Sequence, residues 1–294
     1  ALVKLEQSQP DLGKISSSAS ACLLYAQALF ESNQPEAAIQ FLESSEIPLG
    51  PAGLFWMAQS RAAIGEWSAA LEAYSEGSSQ TDFPLRNEAL LGQARMLQNL
   101  DRKSEAEEIL APAVSWPSSP LRTMALQELA ALRLDRKDPA AALEILDQFM
   151  PDSPQAKTRQ DFLLARAAIL QNDNDQALKL LAPLVPLDSA MATETVLLHS
   201  KTLGRSGRYQ EAENLLEEFI AANPNAPGLN RVFWELDQIY SGAASTSSSE
   251  LKRWTEDGNP SLRRKLACYY LAILSARQKN PKAALTLLEK LSAE

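Results

Sequence analysis

Residues 207–216 read GRYQEAENLL. A glycine is followed by an aromatic two residues on, an alanine three further, and then a leucine pair. In isolation the stretch could be a binding loop, but it recurs. The blocks EAAIQFL, SAALEAY, SEAEEIL, AAALEIL, DQALKLL, QEAENLL and KAALTLL share its alanine and apolar tail, with the alanine at 38, 70, 106, 142, 177, 212 and 284. The spacings are 32, 36, 36, 35, 35 and 72, the last equal to two steps of 36. A period near 35 residues held along the chain marks an array of like supersecondary units rather than a local site.

Outward from 207–216, each period carries the same punctuation. Apolar residues at helical spacing come first, such as Val196, Leu197 and Leu203. A polar or glycine-bearing break follows (Ser206, Gly207), and a second helical stretch then runs towards a proline. Prolines at 48, 84, 117, 151, 186, 224 and 260 fall between periods, where a missing N–H stops a helix. Each unit is therefore predicted to be two helices joined by a tight turn. The residue types follow from packing. Helices approach closely only where side chains are small, so alanine takes the crossing on both helices: Ala26, Ala58, Ala94, Ala130, Ala165 and Ala272 on the first, the period-marking alanines on the second. Gly207 frees the backbone at the turn. Asn33, Asp101, Lys137, Asn172 and Lys279 replace glycine at equivalent places. Tyr209 and Trp67 read as aromatic wedges that set the angle to the next unit. One hairpin cannot bury both of its faces, so the units must stack.

These residues resemble the tetratricopeptide repeat family, whose pattern runs W-x2-L-G-x2-Y, then G-x-Y-x2-A, then F and P. In one copy Val196, His199, Ser200 and Leu203 stand at the first-helix positions, and Gly207, Tyr209, Ala212, Phe219 and Pro224 match the second half. Another copy has Leu54, Met57, Ala58, Gly65, Trp67, Ala70 and Tyr74. The resemblance implies an all-α, right-handed α-solenoid of about eight stacked helix-turn-helix repeats spanning 1–294 as one domain. Its parts are a tail of an earlier repeat at 1–17, six regular repeats at 18–224, a degenerate repeat at 225–259 and a final repeat at 260–294. In the degenerate repeat Phe233, Leu236 and Tyr240 keep the first-helix spacing, and the serine-rich SGAASTSSSE (241–250) loosens the inter-helix loop. Ser247 and Glu250 have capping-box spacing for a helix through Leu251 and Trp254, ended by Gly258 and Pro260. The opening ALVKLEQSQPD aligns with ALTLLEKLSAE (284–294) and ALEILDQFMPD (142–152), from which a segment of a longer protein is expected.

Composition narrows the function. Of 294 residues, 45% are hydrophobic, enough for a stack of cores. The net charge of −9 argues against nucleic-acid or anionic-lipid binding. No apolar run reaches the ~18–20 residues a membrane span needs. Two cysteines, Cys22 and Cys268, stand at equivalent first-helix positions in the first and last units, and no disulfide between them is expected in an extended stack. The one histidine, His199, reads as an interior residue. No phosphate loop, nucleophile elbow or metal-ligand spacing is present, so no cofactor and no catalysis are expected.

What remains is surface. The resemblance implies that first helices line a concave groove that holds a peptide or a partner segment. Next to each first-helix crossing, one groove-facing position carries Gln27, Gln59, Arg95, Ala131, Arg166, Lys201, Gln238 and Ile273, none of them acidic. A neighbouring position carries Leu23, Phe55, Leu91, Gln127, Phe162, Leu197 and Tyr269, for which packing within the stack is the favoured reading and binding the alternative. The carboxylate clamp of some family members is not carried over, because its lysine-type position is Leu23, Phe55 or Leu91 here. The candidate peptide-binding residues are Gln59, Arg95, Arg166, Lys201, Arg205, Phe55, Leu91 and Phe162, suited to an apolar or mixed segment with acidic character. The reading is a non-catalytic interaction scaffold. Its alternatives are self-association through open solenoid ends and a helical accessory region of a larger envelope enzyme. A bacterial cell-envelope location is the expectation, with the cytoplasm as the alternative.

Overall fold

The turn inside each helix pair is the most uniform element of the chain. In a computed structural model, which describes residues 18–46, 48–184, 191–242, 249–256 and 261–292, seven of these turns place one residue in the left-handed region. They are Gly65 and Gly207, and also Asn33, Asp101, Lys137, Asn172 and Lys279, with φ between 58° and 82°. The hydrogen bonding is the same each time. At the first, the Asn33 amide donates to the Phe30 carbonyl and the Gln34 amide to the Leu29 carbonyl; at the sixth, Gly207 donates to Gly204 and Arg208 to Leu203. This paired pattern is a Schellman cap, which satisfies the last carbonyls of one helix while reversing the chain into the next.

The chain divides into two compact units, Ala1–Ala156 and Lys157–Glu294. The first holds the pairs α1 (Ala19–Glu31) and α2 (Pro35–Glu43), α3 (Gly50–Ala63) and α4 (Trp67–Ser78), α5 (Arg86–Asn99) and α6 (Lys103–Leu110), α7 (Pro120–Asp135) and α8 (Pro139–Leu146). The unit boundary falls in the first turn of α9 (Pro154–Leu170). There follow α10 (Asn174–Leu181), α11 (Ala192–Arg205) and α12 (Tyr209–Ala222), α13 (Leu229–Gly242) and α14 (Ser249–Thr255), α15 (Leu262–Arg277) and α16 (Pro281–Ser292). No strand occurs among the described residues. Prolines begin helices as well as separating pairs: Pro35, Pro120, Pro139 and Pro281 occupy first turns, where an N–H is not needed. Ser119, Asp138, Asp173 and Ser261 accept backbone N–H bonds as N-caps. Helices α6 and α10 are only eight residues long and pass into 3-10 turns at Ala111–Ser115 and Ala182–Leu184. There Pro112 and Pro183 lack the amide that would continue the helix.

Most successive helices of a unit pack side by side, and several first helices also touch the first helix of the next pair. The small residues lie where helices cross: Ala26, Ala58, Ala94, Ala130, Ala165, Ser200 and their partners Ala38, Ala70, Ala106, Ala142, Ala177 and Ala212 are all fully buried. Gly92 shows how little room is left, since a Cβ there would stand 2.4 Å from the Tyr74 ring. Tyr209 wedges as expected, its ring 3.0 Å from where a Cβ on Gly242 would stand. Trp67 does not, being exposed and lying over its own turn glycine Gly65. In the degenerate repeat Phe233, Leu236 and Tyr240 are buried as the spacing implied, and Phe233 meets Trp254 of α14 edge-on at 5.7 Å and Tyr270 of α15 in a stack at 5.8 Å. Residues 1–17, Ser245, Ser247, Ser248, Gly258 and Pro260 lie outside the described residues. Cys22 and Cys268 are both buried.

Candidate functional site

In the second unit, three first helices place a set of side chains around one opening. Phe162 and Arg166 come from α9, Glu194, Leu197, Leu198 and Lys201 from α11, and Arg231 from α13; together they line a cavity of about 450 Å³. Helical spacing explains the grouping. Glu194, Leu197, Leu198 and Lys201 stand at i, i+3, i+4 and i+7, so one face of α11 carries all four. Leu197 is buried and forms part of the floor. The Arg231 guanidinium closes one side through a two-pronged ion pair with the Glu194 carboxylate. Arg205, one turn beyond Lys201, makes no hydrogen bond or ion pair with a described residue, although its charge acts on Glu235.

The cations are less available than their exposed positions imply. Lys201 lies 3.8 Å from the buried Glu235 carboxylate of α13, and its ammonium sits 5.9 Å above the Trp234 ring. In the first unit Arg95 pairs in the same way with Glu128 of α7 at 3.4 Å. In both cases a cation beside one first-helix crossing answers a carboxylate two residues before the next. At these two groove positions the cation therefore serves packing between neighbouring first helices. Burial pushes the Glu235 carboxyl above the ordinary carboxylate range, and Lys201 and Arg205 pull it back.

The predicted residues separate accordingly. Phe162, Arg166 and Lys201 meet at the second-unit cavity, with Arg205 one turn away. Gln59, Arg95, Phe55 and Leu91 belong to the first unit. Phe55 and Leu91 are buried, and Phe55 packs against Tyr74 and Phe83. Trp234, 51% exposed, went unrecognised as a site residue. It stands three residues before Asp237, the offset at which Phe162 precedes Ala165, but the seventh repeat has aspartate where the others have a small residue. His199 also departs from expectation. It is half-buried, with Nδ1 enclosed and without a hydrogen-bond partner among the described residues, at a separate cavity of about 500 Å³ with Asp175, Lys179, Arg208 and Glu211. Burial and the adjacent Arg208 lower its pKa below the usual imidazole value. Among the described residues no cluster of histidine, cysteine and carboxylate side chains could hold a metal ion, and no helix is long and apolar enough to cross a membrane.

Helix pairs joined by a Schellman turn, crossing at buried alanines and repeating near 35 residues, define an all-α solenoid fold of the tetratricopeptide-repeat type. Solved structures share it. The chain is similar to the apo form of the quorum sensor NprR from B. thuringiensis, at 12% identity and a TM-score of 0.65 over 100% of this chain and 95% of that one. A tetratricopeptide repeat protein from Parabacteroides merdae matches at 13% identity and a TM-score of 0.54, covering 83% of this chain and 92% of its own. The C-terminal part of a TPR repeat-containing protein from Cytophaga hutchinsonii matches at 13% identity and a TM-score of 0.50, with coverages of 92% and 94%. At these identities the likeness is one of fold. No protein-family model matches the chain, and no curated protein matches it in sequence.

Proposed function

We propose that the chain is a non-catalytic scaffold that binds a peptide or partner segment in the groove of its second unit. The observation that carries this reading is the cavity walled by Phe162, Arg166, Lys201 and Arg231 over a leucine floor, with the exposed Trp234 beside it. An apolar side chain fits the floor, and Arg166, Lys201 and Arg231, the latter two partly answered by Glu235 and Glu194, favour an acidic neighbour on the bound segment. Aromatic and arginine side chains in such a setting supply most of the affinity in peptide recognition. The fold is also shared with a quorum sensor.

The test begins with a random-peptide display library selected on the immobilised chain. Selected sequences should pair an apolar residue with an acidic one. Trp234→Ala, and Arg166→Glu combined with Lys201→Glu, should each weaken the selected peptides by about tenfold or more in fluorescence anisotropy. Helicity by circular dichroism should be unchanged. Affinity indifferent to both variants, or a library that yields no binder, would remove the reading.

A further inference from the structure

The cavity at His199 lies on the far side of α11 from the groove. Successive helix residues turn by about 100°, so His199, two residues from both Leu197 and Lys201, points away from them. It borders a space of about 500 Å³ between α10, α11 and the start of α12, all in the second unit. Sites for small molecules span about 300–1,000 Å³, so this cavity has room for one. Leu178 of α10, Ala182 of the turn that follows it and Leu203 of α11 form an apolar floor.

The polar groups around that floor are of two kinds. Arg208 and Glu211 satisfy each other through two hydrogen bonds, at 2.6 and 2.7 Å. Asp175 and Lys179 do not. They stand at i and i+4 on α10, the spacing at which a carboxylate and an ammonium pair, yet neither forms an ion pair with a described residue. Asp175 acts on Arg208 through its charge alone. His199 is the third open group. Its Nδ1 is enclosed without a partner, whereas Nε2 is neither enclosed nor hydrogen-bonded among the described residues, which leaves Nε2 to meet a ligand. Burial and Arg208 hold the imidazole uncharged near neutral pH, with Glu211 opposing them. Two cations and two carboxylates then cancel, so the cavity favours neither a plain anion nor a plain cation.

We infer that this cavity binds a small zwitterion, a free α-amino acid with an apolar side chain. Its ammonium lies against Asp175, its carboxylate against Lys179 and His199 Nε2, and its side chain on Leu178, Ala182 and Leu203. The site does not depend on the groove of the second unit.

His199 is the only histidine of the chain, so its imidazole signals in nitrogen-15 NMR report on the cavity without ambiguity. Leucine and methionine should shift them saturably, with half-saturation at about 1 mM or below. N-acetylleucine lacks the ammonium and leucinamide lacks the carboxylate, so each should bind about tenfold or more weakly than leucine. Asp175→Asn should remove the preference for leucine over N-acetylleucine, and Lys179→Gln the preference over leucinamide. Both side chains are exposed, so the fold is kept. Imidazole signals that neither leucine nor methionine moves overturn the inference. So does N-acetylleucine or leucinamide binding as tightly as leucine, which would mean a plain anion or cation site. A shift that both variants leave unaltered overturns it as well.

Discussion

At the residue scale, the turn position explains how one repeat tolerates glycine, asparagine, aspartate and lysine at the same place. All seven adopt positive φ, which costs a side-chain-bearing residue about 1 kcal/mol or more relative to glycine. Asparagine and aspartate bear that cost most easily; lysine has no such compensation. Lys137→Gly and Lys279→Gly should therefore each raise stability by about 1 kcal/mol. Both side chains are exposed and both positions lie beyond the helix end, so neither contacts nor helix propensity are lost. Denaturant midpoints measured on the two variants decide it, and an unchanged or lowered midpoint would show that the turn is held by something other than the cap.

At the element scale, the seventh repeat deviates most and compensates most visibly. Asp237 occupies the crossing on α13 where the other first helices carry alanine or serine. It is buried and receives both prongs of the Arg277 guanidinium from α15, at 2.6 and 2.7 Å, while Arg277 also donates to the Ser241 hydroxyl at 2.8 Å. Removing the arginine leaves a buried carboxylate uncompensated. Arg277→Ala should cost about 2 kcal/mol, below the usual figure for a buried pair because the guanidinium is half exposed. Asp237→Ala should be nearly neutral, since alanine is the residue this crossing accepts and Arg277 can turn to water. Thermal unfolding of the two single variants and the double variant tests the pair. A double variant as unstable as Arg277→Ala alone would refute the account.

At the scale of the whole molecule, ionisation divides the chain unevenly. Glu213 and Glu217 on α12 and Glu235 on α13 all lie in the second unit, and burial raises each above the ordinary carboxylate value. The bond from the Tyr240 hydroxyl to Glu217, at 2.7 Å, partly opposes this. Because the folded pKa is raised, the folded state binds protons more readily than the unfolded one. Stability is therefore gained as pH falls from neutrality towards about 4.5 and is lost again as pH rises through the raised values. Exposed Glu105 and Glu211, lowered by Arg102 and Arg208, act in the opposite sense only below that window. His199 on α11, lowered by burial and Arg208, opposes this gain within the same window, so in a His199→Gln background amide exchange, corrected for its intrinsic pH dependence, should slow across 192–242 between pH 7 and pH 5 and change little across 19–135. Glu213→Gln should flatten the effect, and equal slowing in both regions would contradict it.

The period, the paired helices, the alanine crossings and the turn positions were legible in the sequence because each is a local requirement. A crossing needs a small residue and a cap needs a residue that accepts positive φ, wherever in the array they fall. The groove was legible only in part. Phe162, Arg166 and Lys201 follow from counting along a helix, but the counting could not tell that Phe55 is enclosed by neighbouring rings and that Leu91 is buried. Nor could it tell that Glu128 and Glu235 reach back to Arg95 and Lys201. Trp234 was hidden by the aspartate that breaks the pattern beside it. Sequence by itself determined which residues recur at each helix position; tertiary structure alone decided which of them face a neighbour and which face water, because exposure depends on what the adjoining repeat presents in return.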